Sequence, residues 1–134
     1  MEFKDFNAAQ IRVARPTDKF DQVISFYEKG VGLPRIGDFE GHRGFTGVIF
    51  GLPDSSYQLE ITKHVDGSPC PAPTKDNLLV FYIPSKEELD HVAKRLSLMG
   101  YFEVEPENHY WKEKGITIED PDGWRIVLMN TNGI

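Results

Sequence analysis

Apolar and polar positions alternate along "QIRVARP", where Ile11 and Val13 fall on one side and Gln10, Arg12 and Ala14 on the other. The period then changes. Phe20, Val23, Ile24 and Tyr27 recur at helical spacing, with Thr17 or Asp18 as N-cap and Gly30 as terminator. The same order returns in "NLLVFYIPSKEELDHVAKRLSLMGY": a short strand, a proline, then a helix with Leu89, Val92, Ala93 and Leu96 as its buried stripe. Ser85 and Glu88 form a capping box, and Gly100 closes that helix. Each half ends on a turn and a strand, "PDSSYQLEIT" in the first and "DPDGWRIVLM" in the second. Between helix and last strand lie the glycine-rich "GDFEGHRGFTG" and the irregular "FEVEPENHYWKEKG", each holding a weak middle strand.

The halves are therefore an internal repeat. The proline-rich "DGSPCPAPTKD" separates them, since its prolines forbid a regular helix or central strand. The predicted organisation is one domain of two modules, 9–65 and 76–131, joined by a linker at 66–75. Each is a βαβββ unit of an α+β fold, with a helix on one face of its sheet and the other face open.

Alternation assigns the faces. Leu59 and Ile61 meet the first helix, and Glu60 points away, on the side of Gln10 and Arg12. In the second module Leu78, Val80, Ile126 and Leu128 are expected on the helix side, with Asn77, Leu79, Phe81, Val127 and Met129 opposite. Apolar residues on that second open face imply a covered surface or a pocket. Arg12 either pairs with Glu60 or recognises an anionic group of a ligand. Trp111 is a candidate pocket wall, and Trp124 packs on the helix side. His42 and His109 fall in the irregular middle strands, His64 follows the last strand of the first module, and His91 is a solvated helix residue.

Composition narrows the choice. The 134 residues are 40% hydrophobic and carry a net charge of −6 without a Lys/Arg cluster. That speaks for a globular domain and against nucleic-acid or anionic-membrane partners. No run reaches the length of a membrane span and the first residues have no apolar signal core, so a cytoplasmic location is expected. The single cysteine, Cys70, excludes an intrachain disulfide and reads as a linker residue.

Tandem βαβββ modules with "FYEKGVGL" after the first helix, "LEIT" closing the first module and "DPDGWRIVL" closing the second resemble the vicinal oxygen chelate superfamily: glyoxalase I, bleomycin-resistance-type proteins, fosfomycin-resistance enzymes and extradiol dioxygenases. The resemblance implies two modules forming a curved mixed sheet around a central cup, and homodimers whose cups combine modules from both chains. Its metal-ligand positions carry over to Gln10, Glu60, Asn77 and Val127. Glu60 matches the glyoxalase I pattern, whereas Asn77 replaces a histidine and Val127 a glutamate; valine has no donor atom for a metal. The expectation is a protein that binds a small amphipathic or aromatic molecule through Gln10, Arg12, Glu60, Asn77, Leu79, Phe81, Trp111, Val127 and Met129, with no cofactor. The alternative is a lyase, isomerase or dioxygenase in which Glu60 is catalytic and, with Gln10, holds a divalent ion.

Overall fold

The computed structural model describes residues 7–51 and 56–134. Pro53, Asp54 and Ser55 of the first module's turn lie outside the described residues. The first module runs β1 (Ile11–Pro16), α1 (Phe20–Ser25), β2 (Arg35–His42), β3 (Phe45–Gly51) and β4 (Tyr57–His64). The second runs β5 (Leu78–Tyr82), α2 (Lys86–Leu98), β6 (Glu103–Val104), α3 (Tyr110–Glu113), β7 (Gly115–Glu119) and β8 (Arg125–Met129). Both build a four-stranded mixed sheet with the same topology, β1-β4-β3-β2 and β5-β8-β7-β6, in which the first and last strands of each module pair in parallel. This is the repeated α+β architecture that the sequence pattern implies.

Helix signals act in two different ways. In α2 the serine half of the capping box forms: Ser85 Oγ accepts from the Glu88 amide at 3.2 Å. Gly100, at φ 95°, closes the helix as Tyr101 N donates to the Leu96 carbonyl. Helix α1 departs from expectation. Its N-cap is Lys19, without a side-chain cap; Thr17 Oγ1 instead accepts from the Lys19 amide, and Asp18 accepts from the Ser68 amide in the linker. The helix does not stop at Gly30 either. It widens into a π-helical turn over Phe26–Val31 and ends at Gly32, φ 93°. Gly30 is there for contact: a Cβ on it would overlap Leu96 Cδ2 of α2.

One core joins the modules. Val23, Ile24, Phe26 and Tyr27 from the first helical segment meet Phe50, Leu59 and Ile61 of the first sheet, Leu89 and Leu96 of α2, and Ile118, Ile126 and Leu128 of the second sheet. Both sheets turn their helix sides toward this core, so their opposite faces lie outward.

The register corrects the faces of β5. Leu79 stands beside Ile126 and Phe81 beside Leu128, and both pack against the core. Val80 and Tyr82 share the outer face with Val127 and Met129. Five consecutive apolar residues carry no alternation, so only pairing with β8 could fix which set turns inward.

Candidate functional site

The outer face of the first sheet gathers three of the expected residues. Arg12 and Glu60 project from the neighbouring parallel strands β1 and β4, and Arg12 Nη1 meets Glu60 Oε1 at 2.9 Å. Arg12 Nε donates to Gln58 Oε1 at 2.9 Å, and Gln58 Nε2 donates to Gln10 Oε1 at 3.2 Å. Gln10, Arg12, Gln58 and Glu60 thus form one polar strip. Arg12 remains half-exposed, while the Glu60 side chain is 14% exposed. Apolar groups flank the strip. Ile49 is directly opposite Glu60 on β3; Phe39 lies over Gly47, and Ile36 over Gly51. A Cβ at Gly47 would strike the Phe39 ring, so the missing side chain makes the seat for that ring.

This strip does not fit a divalent metal. Its one carboxylate already faces a guanidinium, and its other donors are neutral amides. The position that pairs with Glu60 in the repeat, Val127, is wholly buried hydrocarbon. Among the described residues, no three His, Cys, Asp or Glu side chains converge as a metal cluster.

The remaining expected residues lie elsewhere. Asn77 and Leu79 border a cavity between the modules, with Asn77 Oδ1 accepting from Thr74 Oγ1. Phe81 packs against the core. Val127 and Met129 are on the second sheet's outer face as expected, but buried at 0% and 3% exposure. That face carries Arg125, tied to Glu119 and the Glu105 carbonyl, and Gly133 of the C-terminal tail lies against the Tyr82 ring. Trp111 sits in α3, edge-on to Tyr110 at 5.0 Å, and α3 packs against β7. His42 and His109 are exposed, and His64 packs on Phe45 at the end of β4.

A second charged cluster holds the modules together. Arg15, 7% exposed, reaches from β1 into the "DPDG" turn, with Nη2 at 2.6 Å from Asp120 Oδ2 and Nη1 at 3.1 Å from Asp122 Oδ2. Tyr27 donates its hydroxyl to Asp120 at 2.8 Å, and Thr17 donates to Asp122 at 2.5 Å. The amides of Asp122 and Trp124 donate to Asp120 Oδ1. Arg15 also lies over the Trp124 ring at 5.1 Å, and Trp124 Nε1 donates to the Cys70 carbonyl. Burial pushes the Asp120 carboxyl above its ordinary range, partly offset by the Arg15 charge and the hydrogen bonds. Burial, then the Asp120 charge, raises the Tyr27 hydroxyl well above its ordinary value. The sequence carried a signal for this cluster: Arg15 continues the Ile11–Val13 alternation, a charge placed in the core-facing register.

Two βαβββ modules with this paired sheet order have the vicinal oxygen chelate fold, and the chain is glyoxalase/fosfomycin-resistance-like in architecture. It shares that fold with the trypanothione-dependent glyoxalase I of Leishmania major: TM-score 0.72, 16% identity, over 92% of this chain and 87% of that one. More narrowly, the chain belongs to the YycE-like family, whose N-terminal and C-terminal domain models match residues 11–62 and 76–130. The uncharacterized protein YycE of Bacillus subtilis is 56% identical over 132 residues, 98% of this chain and 95% of that protein. The crystal structure of a YycE protein of unknown function from Bacillus subtilis superposes with a TM-score of 0.92 at 55% identity, covering 100% of this chain and 98% of that one.

Proposed function

We propose that the protein binds a small amphipathic or aromatic molecule on the outer face of its first sheet, without a catalytic metal. The observation that carries this reading is the polar strip Gln10–Arg12–Gln58–Glu60 set among Ile36, Phe39 and Ile49. A half-exposed guanidinium beside uncovered apolar groups suits a ligand with one acidic or carbonyl end and a flat apolar body. Glu60 orients Arg12, and Gln58 fixes the guanidinium plane. A homodimer in the cytoplasm is part of the proposal. Among the described residues β1 and β5 are edge strands, Ile11 is about half-exposed, and the outer faces of both sheets are turned away from the shared core. A second chain could set its second sheet beside the first sheet of this one, joining those faces into a cup.

A thermal-shift screen of aromatic compounds that carry an acidic or carbonyl end tests the reading. A compound that raises the melting temperature of the wild type should lose at least roughly tenfold in affinity in Arg12→Ala. Compounds that stabilise both proteins equally would count against this face. The competing reading is a metal-dependent lyase, isomerase or dioxygenase. Stoichiometric zinc, nickel, manganese or iron in purified protein, lost in Glu60→Ala, would establish it in place of ours.

A further inference from the structure

The modules leave a cavity of about 320 Å³ between them, on the core side of the first sheet and away from the Arg12–Glu60 strip. Val13, Tyr57 and Leu59 line it from the first sheet, Leu79 from β5, and Trp124 and Cys70 from behind. It opens to solvent, so it is a cleft where the two modules meet and not a sealed interior void. Its walls are mostly apolar, which gives ordered water few partners. The cavity also explains an odd feature of β1. Val13 lies in the core-facing register, yet it is 47% exposed because the space beside it is open.

The charges around the cavity are already matched. Arg15 is bound to Asp120 and Asp122, Arg125 to Glu119 and the Glu105 carbonyl, and the Tyr27 hydroxyl to Asp120. A charged ligand would give up its hydration there for no free counter-charge. Rings are plentiful, with Tyr27, Tyr57 and Trp124 all on the wall. We propose that this cavity is a second small-molecule site, separate from the outer-face site, that takes an uncharged aromatic compound of about ten to fifteen non-hydrogen atoms.

The test uses 1-aminoanthracene, a neutral fluorescent aromatic amine, with the full-length protein. Wild type should bind it saturably at one site per chain, and bound probe should slow alkylation of Cys70 by iodoacetamide severalfold. Val13→Trp fills the mouth from an exposed position and should weaken binding at least roughly tenfold. Leu79→Phe, from the opposite wall, should act in the same direction. Glu60→Ala should bind the probe as wild type does, which separates this site from the outer face. Unchanged binding in both filling variants would overturn the proposal, as would loss of binding in Glu60→Ala. Sedimentation covers the other occupant: a wild-type dimer that becomes monomeric in Val13→Trp would mean that a second copy, not a small molecule, fills the space.

Discussion

Arg15→Met removes the cation from the cluster between the modules and keeps much of the side chain's length, so it reads charge more than packing. The Arg15 side chain is 8% exposed, Asp120 is fully enclosed, and Asp122 is 8% exposed. Breaking a buried pair by deleting one partner costs about 3–5 kcal/mol, because the remaining charge is left uncompensated. Loss of the contact with Trp124 adds up to about 1 kcal/mol, while the hydrogen bonds from Tyr27, Asp122 and Trp124 to Asp120 remain and limit the total. The expected loss is about 3–5 kcal/mol near pH 7, measured by urea unfolding. Arg12→Met, which breaks a pair that is 39% and 14% exposed, should cost about 1 kcal/mol or less. The Arg15 effect also has a pH signature. Asp120 titrates above its ordinary 3.8 in the folded protein. Its contribution to stability is therefore whole below the unfolded value and is lost as pH rises through the folded one. Removing Arg15 takes away the largest opposing influence on that carboxyl and moves it further up. The cost of the substitution should thus grow as pH rises from about 4 toward neutrality. A loss under about 1 kcal/mol at neutral pH, or one of equal size at acid and neutral pH, would refute the account of this cluster as a buried ion pair.

Two further substitutions test the packing. Gly30→Ala improves intrinsic helix propensity by about 1 kcal/mol but drives a methyl group into Leu96, so a net loss of about 1–3 kcal/mol is expected in the same unfolding assay; a net gain would mean the helices have room to separate. The Thr117 hydroxyl is buried with no hydrogen-bond partner among the described residues, so Thr117→Val should raise stability by about 1 kcal/mol, and a loss of that size would reveal a partner for it.

What could be read from the sequence follows from where the pattern is unambiguous. The turn at 120–123 and the capping box at Ser85 are local, and each is decided by a few adjacent residues. Glu60 was legible because Leu59 and Ile61 flank it with apolar side chains that must turn inward. "LLVFY" in β5 has no such contrast, and its faces were decided by β8, forty-odd residues away in sequence. Gly30 looked like a helix terminator because glycine usually plays that part after a helical stripe; its actual reason is α2, a contact between the two modules that no local pattern reports. Gln58 was overlooked for a related reason. An amide on a polar face carries no signal until its neighbours Gln10 and Arg12 are placed beside it.

The "DPDG" turn takes on a different meaning in the folded chain. A pair of acids in a tight turn beside an aromatic invites a catalytic reading, and the motif points to the superfamily. Here both carboxylates are consumed by Arg15, Tyr27 and Thr17 from the other module, and the turn's aromatic neighbour Trp124 is pinned to the linker through the Cys70 carbonyl. The motif therefore does the work of docking one repeat on the other. This ties together two modules that are joined by a proline-rich linker and share one core, with Tyr27 reaching Asp120 from the widened end of the first helix. It also divides labour between two arginines three residues apart on β1: Arg15 faces inward and is fully paired, whereas Arg12 faces outward, half-exposed, with its orientation set by Glu60. Of these two arginines only Arg12 retains exposed surface, so it, and not the fully paired Arg15, is the one open to an anionic group.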